Sequence, residues 1–177
     1  MKSTNLNYGK IAQAFHWISA LLIFTMLPMG FTMINIADGD TKTTLYSIHV
    51  TIGLIVLALT IFRIIWSFID QKPDMLPDMP PWREFVFKAV HVLLYALPLV
   101  LAFSGIKMLL TAELGISPAN VSPEAISLVV SQPNLHGIVS MIYIALLLAH
   151  IGGIMSYQMT KSDTLSRMGI TWLKTKQ

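Results

Sequence analysis

Four apolar runs, each long enough to cross a lipid bilayer, constrain this chain more than anything else in it. They extend from about Ile11 to Ile36, Leu45 to Ile69, Phe85 to Ala112 and Leu135 to Tyr157. A spanning helix needs roughly 20 predominantly apolar residues. Lipid offers no partner to an unpaired backbone group, so each run is expected to be helical. Pro28 and Pro98 fall inside the first and third runs, where membrane helices tolerate proline. The expected fold class is therefore all-α: an integral, multi-pass membrane four-helix bundle.

Composition supports lipid as the solvent. Hydrophobic residues make up 54% of the 177 and charged residues 12%, about half the charged fraction of a soluble domain. Mean hydropathy is +0.65. The basic residues form no cluster with interleaved aromatics, so nucleic acid is not expected as a partner despite a pI of about 9.2. The chain has no cysteine, which excludes iron–sulfur clusters, zinc–thiolate sites and covalently attached c-type haem.

Charge placement orients the spans. Lys2 and Lys10 precede the first. Arg63, Lys72, Arg83 and Lys88 lie in or beside the second connection. Lys161, Arg167, Lys174 and Lys176 follow the fourth span. The opposite side has only Lys42 and Lys107, against Asp38, Asp40, Glu113 and Glu124. The positive-inside rule then places both termini in the cytoplasm. The first run is too long, and too free of a small-residue cleavage site, for a signal peptide. The connections are a short one over 35–44, a proline-rich one over 70–84 (Pro73, Pro77, Pro80, Pro81) and a longer one over 113–134 (Pro118, Pro123, Pro133). Within the last, Glu124 to Val130 is expected to form a short amphipathic helix on the membrane surface. No internal repeat is visible, and residues 1–177 read as a single transmembrane domain.

The chemistry lies in five histidines: His16, His49, His91, His136 and His150. All sit in or at the ends of apolar spans, where an ionisable side chain is costly and points to function. His16 and His150 fall toward the cytoplasmic side, His49 and His136 toward the outer side. His136 and His150 are 14 residues apart in one span, which is about 21 Å of helix with both rings on one face. Two pairs at two depths result, His16 with His150 and His49 with His136. Imidazoles facing across a bundle core can take the two axial positions of a haem iron. A zinc site needs about four ligands close together. A proton relay usually includes carboxylates, which the span centres lack, and a histidine-only carrier site is the remaining alternative. His91 lies at about the depth of His16. It is open to bonding a haem propionate, serving a quinone or replacing one of the ligands above.

Other features are compatible with haem and with ordinary membrane packing alike. Gly53, Gly105, Gly137, Gly152 and Gly153 leave space for a macrocycle or for a neighbouring helix. Arg63 and Lys88 are placed to pair with propionates or to snorkel, and Lys107 to draw an anionic donor or to snorkel. Trp17, Trp66, Tyr46, Trp82 and Tyr157 read as an aromatic belt, and most of the eleven methionines as apolar filler.

The chain resembles the prokaryotic cytochrome b561 family of quinone-linked di-haem membrane cytochromes. The likeness begins in the run from Tyr8 to Trp17 (YGKIAQAFHW) and that from Ile48 to Gly53 (IHVTIG). It continues through Arg63, Trp66, His91 to Tyr95, Leu97, Pro98 and Gly105. It ends with His136, His150 and the tail from Lys161 to Met168 (KSDTLSRM). The resemblance implies two haem b groups with His16, His49, His136 and His150 as axial ligands and metal-binding residues; Arg63 and His91 are further cofactor-binding candidates by their placement. It leaves His91 unassigned as a ligand. It also implies electron exchange with the quinone pool as substrate, in one branch as a superoxide-oxidising, ubiquinone-reducing enzyme. The alternative is a cytochrome subunit that docks a partner dehydrogenase or hydrogenase. A homo-oligomer is compatible with the first role.

Overall fold

The computed structural model describes residues 2–76, 79–130, 134–160 and 164–172. Pro77, Pro133, Lys161, Lys174 and Lys176 lie outside them. Five α-helices occur among the described residues: α1 (Lys10–Asn35), α2 (Asp40–Ile69), α3 (Pro81–Thr111), α4 (Pro123–Val130) and α5 (Leu135–Thr160). Two 3₁₀ turns, Pro118–Asn120 and Ser166–Met168, complete them. All but α4 are long and apolar enough to span a membrane. Only 11% of the most apolar window of each long helix is buried within the protein. Side chains such as Leu21, Phe103 and Leu148 are largely exposed. Such a surface requires lipid around it.

The helix ends follow local chemistry. The second span begins at Asp40 rather than near Leu45, so the first connection shortens to four residues, 36–39. Gly39 at φ 148° makes that turn, and Asp40 places an acid in the first turn, where the helix dipole favours it. The third span starts with Pro81 in its first turn, where a missing N–H costs nothing. It ends in a left-handed residue, Glu113 at φ 58°. Leu114 N–H then donates back to the Leu109 carbonyl at 3.0 Å, the six-to-one bond of a Schellman stop. Leu114 packs onto a small core of Leu109, Val121 and Ile126, joined by Tyr46 and Val50 of α2. This core pins the expected amphipathic helix α4 across the ends of α2 and α3.

α1 packs on α2, α2 on α3, and α3 on α5. The end bearing α4 and the α1–α2 turn is called the far end; the other is the near end. At the near end, residues 2–9, the start of the second connection and the tail are tied together. Ser3 donates to Asp70 through its N–H (3.0 Å) and its hydroxyl (2.5 Å), and Trp66 Nε1 donates to the same carboxylate at 3.1 Å. Burial pushes the Asp70 carboxyl up, but these bonds and one from the Gln71 backbone outweigh it and hold the group below the usual carboxylate range. Arg167 donates to the carbonyls of Leu6 (2.9 Å) and Asp74 (2.6 Å). Trp17 Nε1 reaches the Met168 carbonyl at 2.9 Å. The tail thereby closes over the start of α1, one residue from His16.

Candidate haem sites

The structure brings the histidines together in the pairs that their depths suggest. Toward the near end, the His16 ring of α1 and the His150 ring of α5 have centroids 6.5 Å apart. Toward the far end, His49 of α2 and His136 of α5 are 6.2 Å apart. An iron between two imidazoles, bonded at about 2 Å to each, separates the ring centres by roughly 6 Å. Both pairs meet that spacing. α5 supplies one ring to each pair because its two histidines share a face. Its own backbone packs on α3, so α1 and α2 face it across the bundle rather than against it. Among the described residues, no three or more His, Asp or Glu side chains group to hold a bare metal ion.

The hydrogen bonds of His136 decide its tautomer. Its Nδ1 lies 3.0 Å from the Leu101 carbonyl and 3.1 Å from Ser104 Oγ, both on α3. A carbonyl only accepts, so Nδ1 carries the proton and Nε2 keeps the lone pair that a metal requires. The position a Cβ would take on Gly105 lies 3.4 Å from His136 Cε1 and 3.5 Å from Nδ1. The imidazole thus lies against Gly105, where a Cβ would just reach van der Waals contact with it. Gly53 faces Met26, Gly137 faces Asn134, and no side chain crowds Gly152 or Gly153. Across the pair, His49 Nδ1 is buried without a hydrogen-bond partner among the described residues. A buried ring nitrogen left in that condition is costly. The His49 ring lies beside Gly30 of α1, with its Cε1 4.0 Å from the built Cβ.

The near-end site is richer in charge. Arg63 Nη2 lies 3.4 Å from His16 Nδ1, and its guanidinium sits 4.9 Å above the Tyr95 ring. Neither of the two salt bridges among the described residues includes it. A cation this far inside an apolar bundle favours an anionic partner such as a haem propionate. Lys88, by contrast, is bonded to Glu84 at 2.5 Å at the start of α3. His91 is 5.0 Å from His150 in an edge-on arrangement, and its Nδ1 is bonded to the Phe87 carbonyl one turn back at 2.7 Å.

Imidazole pairs, a glycine contact and a guanidinium outside both ion pairs found among the described residues make a set suited to haem b. A model of prokaryotic cytochrome b561 matches residues 7–169. The chain belongs to the prokaryotic cytochrome b561 family. A stretch of 105 residues is 30% identical to cytochrome b561 homolog 2 of Escherichia coli (strain K12). That stretch covers 58% of this chain and 55% of the relative, so the match spans about half the length of that protein. Membership in the cytochrome b561 family makes the chain a multi-pass membrane cytochrome b.

The sequence pointed to all five histidines and to Arg63. It did not point to Ser104 or Leu101, and it gave Tyr95 no role beyond the run that carries the resemblance. A serine next to a glycine inside an apolar span was the available signal, but its partner stands 32 residues away on another helix.

Proposed function

We propose that this single transmembrane domain is a di-haem cytochrome that carries electrons between the two membrane faces and exchanges them with the quinone pool. The near end, with both termini, is cytoplasmic. The observation that carries this reading is the presence of two imidazole pairs at two depths, each with ring centres at the separation that one iron requires. His16 and His150 ligate the near-end haem, and His49 and His136 the far-end haem. Arg63 binds a propionate at the near end.

When bound, the haems supply the one-electron chemistry. The chain's residues hold them. α5 fixes the vertical separation of the two sites, because His136 and His150 are rigidly spaced along one helix. The Leu101 carbonyl and Ser104 fix the tautomer of His136. Arg63 offsets negative charge where lipid and protein offer little other screening. The apolar helix surfaces keep water away and leave the edges of the sites as the routes for electrons.

Superoxide is the donor this reading favours at the outer face. The supporting observation is Lys107, exposed on α3 and less than one turn from Ser104, which holds His136. It is outside both ion pairs found among the described residues, whereas Lys42 is bonded to Asp38 at 2.8 Å. A free cation beside the outer site attracts an anionic donor.

The test uses the purified full chain. A reduced-minus-oxidised spectrum with haem quantification is expected to give two low-spin b haems per chain. One haem per chain sinks the di-haem reading. In vesicles containing ubiquinone, superoxide supplied on the outer side should reduce the haems and then the quinone. Full haem loading without quinone reduction would instead favour a subunit that docks a partner dehydrogenase.

His91 is not a ligand in this assignment. Its ring is closer to His150 than an intervening iron allows. His91→Ala should therefore retain both haems, measured as pyridine haemochrome per chain. Loss of a full equivalent would return His16 to question.

A further inference from the structure

We infer that Ser104 and Gly105 of α3 form a positioning cradle for His136 and thereby set the reduction potential of the far-end haem. This rests on the reading of His136 as a haem ligand. The argument begins with the single hydroxyl proton of Ser104. Ser104 Oγ donates to the Leu101 carbonyl at 2.9 Å. Having given its proton there, the oxygen has only lone pairs to offer His136 Nδ1 at 3.1 Å. The Nδ1 proton is thus shared between two acceptors on one turn of α3, Ser104 Oγ and the Leu101 carbonyl.

Ser104 is 7% exposed, so water does not compete for this bond. The third element of the cradle is Gly105, against whose missing side chain the imidazole rests. Three consecutive constraints follow: which nitrogen is free, which way the ring turns, and how closely it approaches α3. Orienting partners of this kind raise the basicity of a ligating histidine. A more basic imidazole favours ferric over ferrous iron, so the cradle holds the potential of this haem down.

The partner ring has no such support. His49 Nδ1 has no hydrogen-bond partner among the described residues. The two axial ligands of one haem are therefore unequal, and the potential of that haem responds to changes on the α3 side. At the near end the ring nitrogen of His16 faces a donor, Arg63, rather than an acceptor. The cradle consequently distinguishes the two haems, lowering the far-end potential specifically. That would favour onward electron transfer from the outer site to the inner one.

The test is a potentiometric titration of the reduced haem bands in the full-length protein, with electron paramagnetic resonance of the ferric state. Ser104→Ala should keep two haems and raise the midpoint of one component only. The expected change is about threefold in its ferrous-to-ferric ratio at fixed potential, or about 30 mV for a one-electron couple. Ser104→Thr, which keeps a hydroxyl, should restore the midpoint. Gly105→Val should alter the resonance spectrum of the same component: a Cβ there would already stand in van der Waals contact with His136 Cε1 at 3.4 Å, and the methyls beyond it crowd the ring. His136→Ala identifies that component by removing it. If Ser104→Ala and Gly105→Val both hold two haems with unchanged midpoints and spectra, the cradle is overturned while the ligand assignment stands. If His136→Ala retains both haems, the ligand assignment itself fails. Should Ser104→Ala fail to accumulate, the Gly105→Val spectrum decides alone.

Discussion

His49→Ala and His136→Ala are expected to abolish the same spectral component, and His16→Ala and His150→Ala the other, each variant losing about half of the bound haem. The reason is geometric. Each pair has its ring centres 6.2 or 6.5 Å apart, and removing either ring leaves one axial position without a protein ligand. This effect should exceed that of any change in the surrounding hydrogen bonds, which typically alters metal affinity by about 10–100-fold. The two α5 variants should also loosen the opposite site somewhat, because one helix serves both. Low-temperature difference spectra with haem quantification separate the components. Should His16→Ala and His49→Ala remove one and the same component, the pairing by depth is wrong.

Gly169→Val is expected to open the near-end clasp while leaving both haem ligand pairs intact. Gly169 stands at φ 88° after the Ser166–Met168 turn, a conformation that costs a residue with a side chain about 1–2 kcal/mol. A Cβ there would also lie 2.6 Å from Gln13 Oε1. Gln13 cannot swing away freely, because its Nε2 donates to the Tyr8 carbonyl at 2.7 Å. The strain falls on the neighbouring bond from Trp17 Nε1 to the Met168 carbonyl. Trp17 in turn packs edge-on against His16 with centroids 5.0 Å apart. For a chain of this size each kcal/mol lowers the melting temperature by about 2–4 °C. The near-end haem should be released first on heating, followed by its absorbance in detergent. A melting curve for Gly169→Val that overlays the parent would show that the tail does not brace this site.

The two variants separate haem ligation from haem-site support, and the chain divides them by location. The proposed ligands lie within the long apolar helices, where every polar group is conspicuous. Supports lie partly in a clasp built from three distant segments, residues 2–9, 70–76 and 164–172. The resemblance placed the tail in the family, but nothing in its sequence gave it a partner. Its contacts run over separations such as that between Arg167 and Leu6. Local chemistry has no means of encoding these without the fold.

The sequence alone determined the number of helices long and apolar enough to span a membrane and the position of each histidine along them. The physical reason is that lipid permits few solutions: an apolar run of sufficient length becomes a helix, and a helix has a fixed rise and angular step. His136 and His150 were therefore on one face of one helix before any contact was known. Tertiary structure decided the rest. It set the centroid spacings, tied His136 Nδ1 to Leu101 and Ser104, left His49 Nδ1 without a partner and put Arg63 between His16 and Tyr95. Each of these depends on the rotation of one helix about its axis relative to another. A nearly uniform apolar surface specifies that rotation only weakly, and it is fixed when small residues such as Gly105 and polar ones such as Ser104 find their partners across the bundle.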